Sequence, residues 1–162
     1  MNIYGYCRIS TAKQSIDRQI RNIKAEYPTA HIVQEAYTGT SIFRPEWLKL
    51  YRVLKAGDTV VFDSVSRMSR NAEEGFALYE DLYHKGIRLV FLKEHHIDTE
   101  TYKKALSGSI AMTGTNVDFI LKGINEYLMA LAKEQIKLAF EQSEKEVADL
   151  HQRTREGLLT AR

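Results

Sequence analysis

Ile3-Tyr4-Gly5-Tyr6-Cys7-Arg8-Ile9-Ser10-Thr11 is the stretch whose reading decides the fold. Ile3 to Arg8 reads as a buried strand, and Ser10-Thr11 fall where that strand leaves its sheet. Side chains alternate faces along a strand, so Arg8 and Ser10 are expected to project to the same side. A hydroxyl beside a fixed cation suggests a nucleophile paired with a clamp for an anion. Taken alone, a Ser-Thr pair between a strand and a helix is more often a helix N-cap. Three further arginines, in segments expected at the same end of the sheet, favour the site.

Working outward, Gln14 to Tyr27 reads as a helix with Ile16, Ile20 and Ile23 facing the core, and His31 to Ala36 as a second strand. Tyr37 to Arg44 contains Thr-Gly-Thr-Ser and reads as a flexible loop. Pro45 suits the first turn of a helix whose apolar residues are Trp47, Leu48, Leu50, Tyr51 and Leu54. Gly57-Asp58 turns into the strand Thr59 to Asp63. A helix from Ala72 to Lys85 stops at Gly86, and the strand Arg88 to Leu92 follows. This rhythm predicts an α/β fold with a mainly parallel sheet and helices on both faces, whose function sits at the carboxyl ends of the strands.

Glu94 to Gly114 reads as a loop with weak helical content around Tyr102 to Leu106. Thr115-Asn116-Val117-Asp118 fits a capping box, and helical periodicity then runs towards Gly157. Val117, Leu121, Ile124, Leu128 and Leu131 alternate spacings of four and three, and Ile136, Ala139, Phe140, Ser143, Val147 and Leu150 continue the stripe. A helix over 116–156 would be roughly 60 Å long. A compact chain of this size has a radius of gyration near 15 Å, roughly, so the helix is expected to project and to pair with a second copy. The alternative is a helix broken near Gly123 or Lys133 and folded back on its own sheet. Residues 1–114 therefore read as one domain and 115–162 as an oligomerisation helix. The acidic run Glu141, Glu144, Glu146 and Asp149 gives way to His151, Arg153, Arg155 and Arg162, an end suited to phosphate contacts.

Composition bounds the function classes. The chain has 162 residues, is 44% hydrophobic, and carries two prolines, nine glycines and a net charge of +2. That composition suits a globular chain, and overall charge says little about partners. No apolar run approaches the roughly 20 residues needed to cross a bilayer, and the N-terminus lacks a signal core, so a cytoplasmic location without membrane attachment is expected. Cys7 is the single cysteine, which excludes an internal disulfide and a cysteine-rich zinc site. No metal is expected, and His95-His96 read as loop residues.

The candidate chemistry gathers around phosphate. Arg67 and Arg70 are three apart and would share one face of a helical turn. Their guanidiniums donate in a rigid fork and keep their charge, which suits phosphate oxygens. Arg44, before Pro45, could swing in as a further clamp. There is no C-x₅-R phosphatase pattern after Cys7, since Lys13 stands six residues on. G-x-S-x-G and G-x-x-x-x-G-K-[ST] are also absent, so no nucleotide or other cofactor is expected.

These segments resemble the catalytic domain of the serine site-specific recombinases, the resolvase/invertase family. The likeness rests on Gly5 to Thr11, Gln14, Gln19, Gly39-Thr40-Ser41, Arg44-Pro45, Gly57-Asp58, Ser66 to Arg70 and Ile97-Asp98-Thr99. Glu134-Gln135 and Arg155-Glu156-Gly157-Leu158 extend it to the long helix. The resemblance implies that Ser10 attacks a DNA phosphodiester and forms a 5′-phosphoserine linkage. It implies that Arg8, Arg67 and Arg70 bind the phosphate, with Arg44 as the mobile-loop arginine. Gln14, Gln19 and Glu35 would support the site. It implies double-stranded DNA as partner, a homodimer and a tetramer in the synaptic complex, in phage or transposon-type recombination. Ser66 stands where the family usually has aspartate, and no DNA-binding domain follows the long helix. The rival reading is a recombinase-like module that dimerises or binds DNA without cutting.

Overall fold

The structure, a computed structural model, describes residues 1–9, 13–36, 44–69, 71–107 and 111–160, with side chains over the same residues except 13–15, 105–107 and 143–160. Strands β1 (Ile3–Arg8), β2 (His31–Glu35), β3 (Thr59–Phe62) and β4 (Arg88–Phe91) form one sheet in the order β2-β1-β3-β4. Every pairing is parallel, as expected from the alternation of strands with helices. The helices are α1 (Lys13–Glu26), α2 (Pro45–Val53), α3 (Val65–Met68), α4 (Ala72–His84), α5 (Thr99–Ser107) and α6 (Asp118–Thr160).

Alternation along the strands divides the core in two. Cys7, Val61 and Val90 face α1, where Ile16 and Ile23 close over them. Tyr6, Val60, Phe62, Leu89 and Phe91 face the other way, into a larger cluster with Trp47 of α2, Tyr79 of α4 and Phe140 of α6. Aromatic rings dominate that face, with Phe62 stacked on Phe91 at 5.3 Å and Tyr6 edge-on to Trp47 at 5.2 Å. Burial pushes the Cys7 thiol up to about 12, so it packs as a small apolar group rather than a nucleophile.

The helical content expected around Tyr102 to Leu106 is α5, but the connection after β4 is more regular than the loop expected on either side of it. A short 3₁₀ turn, His95–Ile97, leads directly into α5. The reason is the exposed edge of β4. Thr99 Oγ1 accepts from the Leu89 N–H at 2.8 Å, and Asp98 Oδ1 from the Phe91 N–H at 2.7 Å. The two side chains satisfy strand donors that a neighbouring strand would otherwise take. Tyr79 then donates to the Ile97 carbonyl at 2.6 Å and fixes the turn over the core.

The long helix is unbroken at Gly123 and Lys133 and runs past Gly157, with 43 residues and a length of roughly 65 Å. Its start differs from the expected capping box. Asp118 reaches back past Thr115 to the turn before the helix, where its carboxylate accepts from the Thr113 and Gly114 N–H groups, at 2.8 and 2.9 Å. Its packing combines the two arrangements considered for it. Ile136, Ala139 and Phe140 dock on the sheet's larger cluster. Gly75 of α4 permits this, because a Cβ there would lie 2.5 Å from the Phe140 ring. The stretch before the dock stays open. Val117, Ile120, Ile124, Tyr127, Leu128 and Leu131 are exposed there, as is Leu138 on the side of the dock turned from the sheet.

Candidate active site

The site is built on the carboxyl edge of the sheet, where β1 ends at Arg8, β2 at Glu35 and β3 runs into α3. Arg8 follows Tyr6 on the larger face and is only 2% exposed. A buried guanidinium needs acceptors on its N–H groups, since burying an unpaired charge is costly. Here α3 supplies them. Arg8 Nη2 donates to the Ser66 carbonyl at 2.6 Å, and Nε to the Arg67 carbonyl at 3.3 Å.

Arg67 reciprocates, its Nη1 donating to the Arg8 carbonyl at 3.2 Å. Arg44 Nη1 donates to the Met68 carbonyl at 2.7 Å and reaches the Arg67 carbonyl at 3.4 Å. Three guanidiniums thus meet around a four-residue helix, with two of them on its carbonyls. That is the favourable end for cations, because the last carbonyls of a helix lack internal partners.

Gln19, from α1, locks β1 in place. Its Oε1 accepts from the Arg8 N–H at 3.1 Å, and its Nε2 donates to the Arg8 carbonyl at 2.9 Å. Glu35, also buried, accepts on Oε2 from the Trp47 N–H at 3.0 Å and from the Tyr6 hydroxyl at 3.3 Å. Glu35 thereby caps α2, whose own N-cap residue, Arg44, makes no side-chain cap bond. Burial pushes the Tyr6 hydroxyl far above its ordinary value, so it acts as a neutral donor to Glu35.

The N-terminus of α3 is held in the same manner. Ser64 stands at its N-cap but caps nothing. Its hydroxyl pairs instead with the Ser66 hydroxyl at 2.7 Å. The Val65 N–H is taken by Glu94 Oε2 at 3.0 Å, from beyond the end of β4. Burial raises the Glu94 carboxyl above its ordinary value, against the pull of that N–H. Sequence reasoning passed over Glu94. The available signal was its place just past a strand end, at the edge where Arg8, Glu35 and Ser66 were already expected.

Asp63 does not fill the place of an aspartate at 66. It bonds Asn22 of α1 at 2.9 Å and Lys93 at 3.3 Å, on the Cys7 side of the sheet. The helical turn expected to carry Arg67 and Arg70 together stops at Met68, and Ser69 is already extended. Of the other expected site residues, Ser10, Arg70 and Arg162 lie outside the described residues, as do the side chains of Gln14, Arg153 and Arg155. Among the described residues no three His, Cys, Asp or Glu side chains gather as a metal site, and no helix is long and apolar enough to cross a membrane.

The family model described as "Resolvase, N terminal domain" matches residues 3–145. The transposon Tn21 resolvase of Escherichia coli is 27% identical over 159 residues, covering 94% of this chain and 83% of its own length. A resolvase of Clostridium perfringens is 32% identical over 99 residues, covering 60% of this chain and 52% of its own. The transposon Tn917 resolvase of Enterococcus faecalis is 29% identical over 99 residues, covering 61% and 53%. The matched part is thus about half of the latter two proteins.

Proposed function

The chain belongs to the resolvase family of DNA recombinases, and from that premise we propose that it cuts and rejoins DNA at specific sites through Ser10. In this reading the Ser10 Oγ attacks a backbone phosphorus. A P–Oγ bond forms, the bond from phosphorus to the 3′ oxygen breaks, and the serine proton ends on that oxygen. The products are a 5′-phosphoserine and a free 3′-hydroxyl. Rejoining is the reverse attack by a 3′-hydroxyl on the phosphoserine. One phosphodiester replaces another, so no nucleotide fuel is needed.

The observation that carries the reading is the meeting of Arg8, Arg44 and Arg67 around α3, with Arg8 two residues before Ser10 in the chain. Attack at phosphorus builds negative charge on the equatorial oxygens, and guanidiniums fixed beforehand stabilise it without reorganising. In other phosphoryl-transfer enzymes one such arginine contributes roughly 10³–10⁵ in rate. Arg8, Arg67 and Arg70 are assigned to the phosphate, Arg44 to the same group from its loop, and Gln14, Gln19, Glu35 and Ser66 to support. Residues 1–114 carry the chemistry. Residues 115–162 carry self-association into a dimer, two of which form the synaptic tetramer, and bring Arg153, Arg155 and Arg162 to the DNA.

Ser66 favours the one rival reading, a module that assembles on DNA without cutting it, because its hydroxyl is engaged with Ser64 and supplies no carboxylate. Covalent capture separates the two. The full chain is incubated with a library of nicked duplexes from the source genome, denatured, and assayed for protein–DNA adducts and for phosphoserine at position 10. Adducts with the wild type and none with Ser10→Ala are expected. Adducts at full yield from Ser10→Ala would overturn the assignment of the nucleophile. No adduct from the wild type would leave the non-cutting module.

A further inference from the structure

Two short helices stand at the carboxyl edge of the sheet, and each is capped from a distance by an acid at a strand end. Glu35, ending β2, takes the Trp47 N–H of α2. Glu94, just beyond β4, takes the Val65 N–H of α3. The second is the more telling, because α3 has a local cap available in Ser64. That serine has the extended backbone of an N-cap, yet its hydroxyl is turned to Ser66. The bond that fixes the start of α3 is therefore made across 29 residues.

The other end of α3 carries the weight of the proposed chemistry. Its carbonyls from Ser66 to Met68 hold Arg8 and Arg44, and Arg67 springs from it. An acid at the first N–H and guanidiniums on the last carbonyls complement the two ends of one helical turn. Only four residues separate them. A shift of α3 at Val65 is therefore transmitted to the resting places of Arg8 and Arg44 and to the root of Arg67.

Resting on the cleavage function proposed above, we propose that Glu94 is a positioning residue of the cleavage site: it ties α3 to the end of β4 and so sets the placement of Arg8, Arg44 and Arg67. It touches no reacting atom. Its carboxylate oxygen acts only as an acceptor, and an amide oxygen can do the same.

The test compares Glu94→Ala with Glu94→Gln in the full chain, by covalent-adduct yield on the nicked duplex library, by DNA affinity and by amide hydrogen exchange at Val65. For Glu94→Ala, a fall in adduct yield of roughly tenfold or more is expected, the scale of one lost charge-assisted hydrogen bond, with DNA affinity changed less than about twofold. Exchange at Val65 should speed up in the same variant. Glu94→Gln should restore protection at Val65 and most of the yield. Wild-type yield and protection in Glu94→Ala would overturn the proposal. So would a loss in Glu94→Gln equal to that in Glu94→Ala, since an acceptor alone would then be insufficient. Failure of the functional reading looks different: no variant, nor the wild type, gives adduct. Exchange at Val65 then still decides whether Glu94 holds α3.

Discussion

Gln19 holds Arg8 with both ends of its carboxamide, accepting from the N–H of Arg8 and donating to its carbonyl. The Arg8 carbonyl keeps a second donor in Arg67, whereas the Arg8 N–H donates to Gln19. Replacing Gln19 by leucine keeps much of the volume and removes the acceptor, so a buried N–H loses that bond. The expected cost is about 1–3 kcal/mol of folding stability. It should appear as a lower urea midpoint with an unchanged slope; an unchanged midpoint would show that the pair contributes nothing. Covalent-adduct yield should fall as well, because the Arg8 carbonyl that Gln19 orients is also where Arg67 rests. The importance of Arg8 was legible in the sequence, from its place at a strand end beside Ser10. Its bonding was not. The carbonyls that hold its guanidinium belong to residues 58 and 59 positions away, and nothing in a local pattern distinguishes a phosphate clamp from a clamp on backbone oxygens.

Between β4 and α5 a single short stretch holds three groups whose protonation favours the fold. Burial is the main cause that raises the Glu94 and Asp98 carboxyls, and the hydrogen bond to Asp98 raises His95. Each value is higher in the folded chain than in the unfolded one. The stability these groups add is full below their unfolded values and is lost as pH rises through the folded ones. Asp58 has the opposite sign. The N–H of Asn2 is the first cause of its lowered value, so its contribution is present above the unfolded carboxylate value and lost as pH falls through the folded one. The thermal midpoint should therefore rise on acidification from about pH 8 to about 5 and fall again below about pH 4. His95→Asn should flatten the upper part of that rise. A wild-type midpoint that climbs steadily towards pH 8 would contradict the assignment. This stretch was also the least legible part of the fold. Thr99 to Ser107 has little apolar periodicity, and among its described side chains Tyr102 is the one in the larger cluster. What fixes α5 is the capture of free β4 donors by Asp98 and Thr99, a tertiary demand rather than a local propensity. The strands themselves were read within a residue of their ends, most plainly β3, whose continuous apolar run is that of a buried parallel strand.

At the scale of the whole molecule, α6 has two neighbouring faces with different needs. One face docks through Ile136, Ala139 and Phe140 on the sheet. Beside it Val117, Ile120, Ile124, Tyr127, Leu131 and Leu138 stand exposed, from 38% at Ile124 and Leu131 to 66% at Tyr127. Their spacings of three, four, three, four and seven follow the heptad seam by which one helix packs on another. Leu128 and Leu131 also line a groove of about 410 Å³ with Tyr102 and Ile136, open to side chains from outside. The stripe read from the sequence, Val117, Leu121, Ile124, Leu128 and Leu131, is exposed at all but Leu121, and Ile120 and Tyr127 widen it. Periodicity alone cannot say that the sheet will claim the stripe at Ile136, Ala139 and Phe140 and leave the part before it open. Val117, Ile124 and Leu131 belong to both sets, and Ile124 and Leu131, nearer the dock, are the positions to test. Covering a half-exposed leucine or isoleucine is worth about 1 kcal/mol, and a charge placed there would have to be buried unpaired. A dimer carries each position twice, so Ile124→Glu with Leu131→Glu should weaken self-association roughly a hundredfold or more. Analytical ultracentrifugation at micromolar concentration should then find dimer or larger species for the wild type and monomer for the double variant. Because both side chains lie off the docked face, the thermal midpoint of the monomer should show little intrinsic loss. A wild type that stays monomeric at high micromolar concentration would remove α6 as the assembly surface.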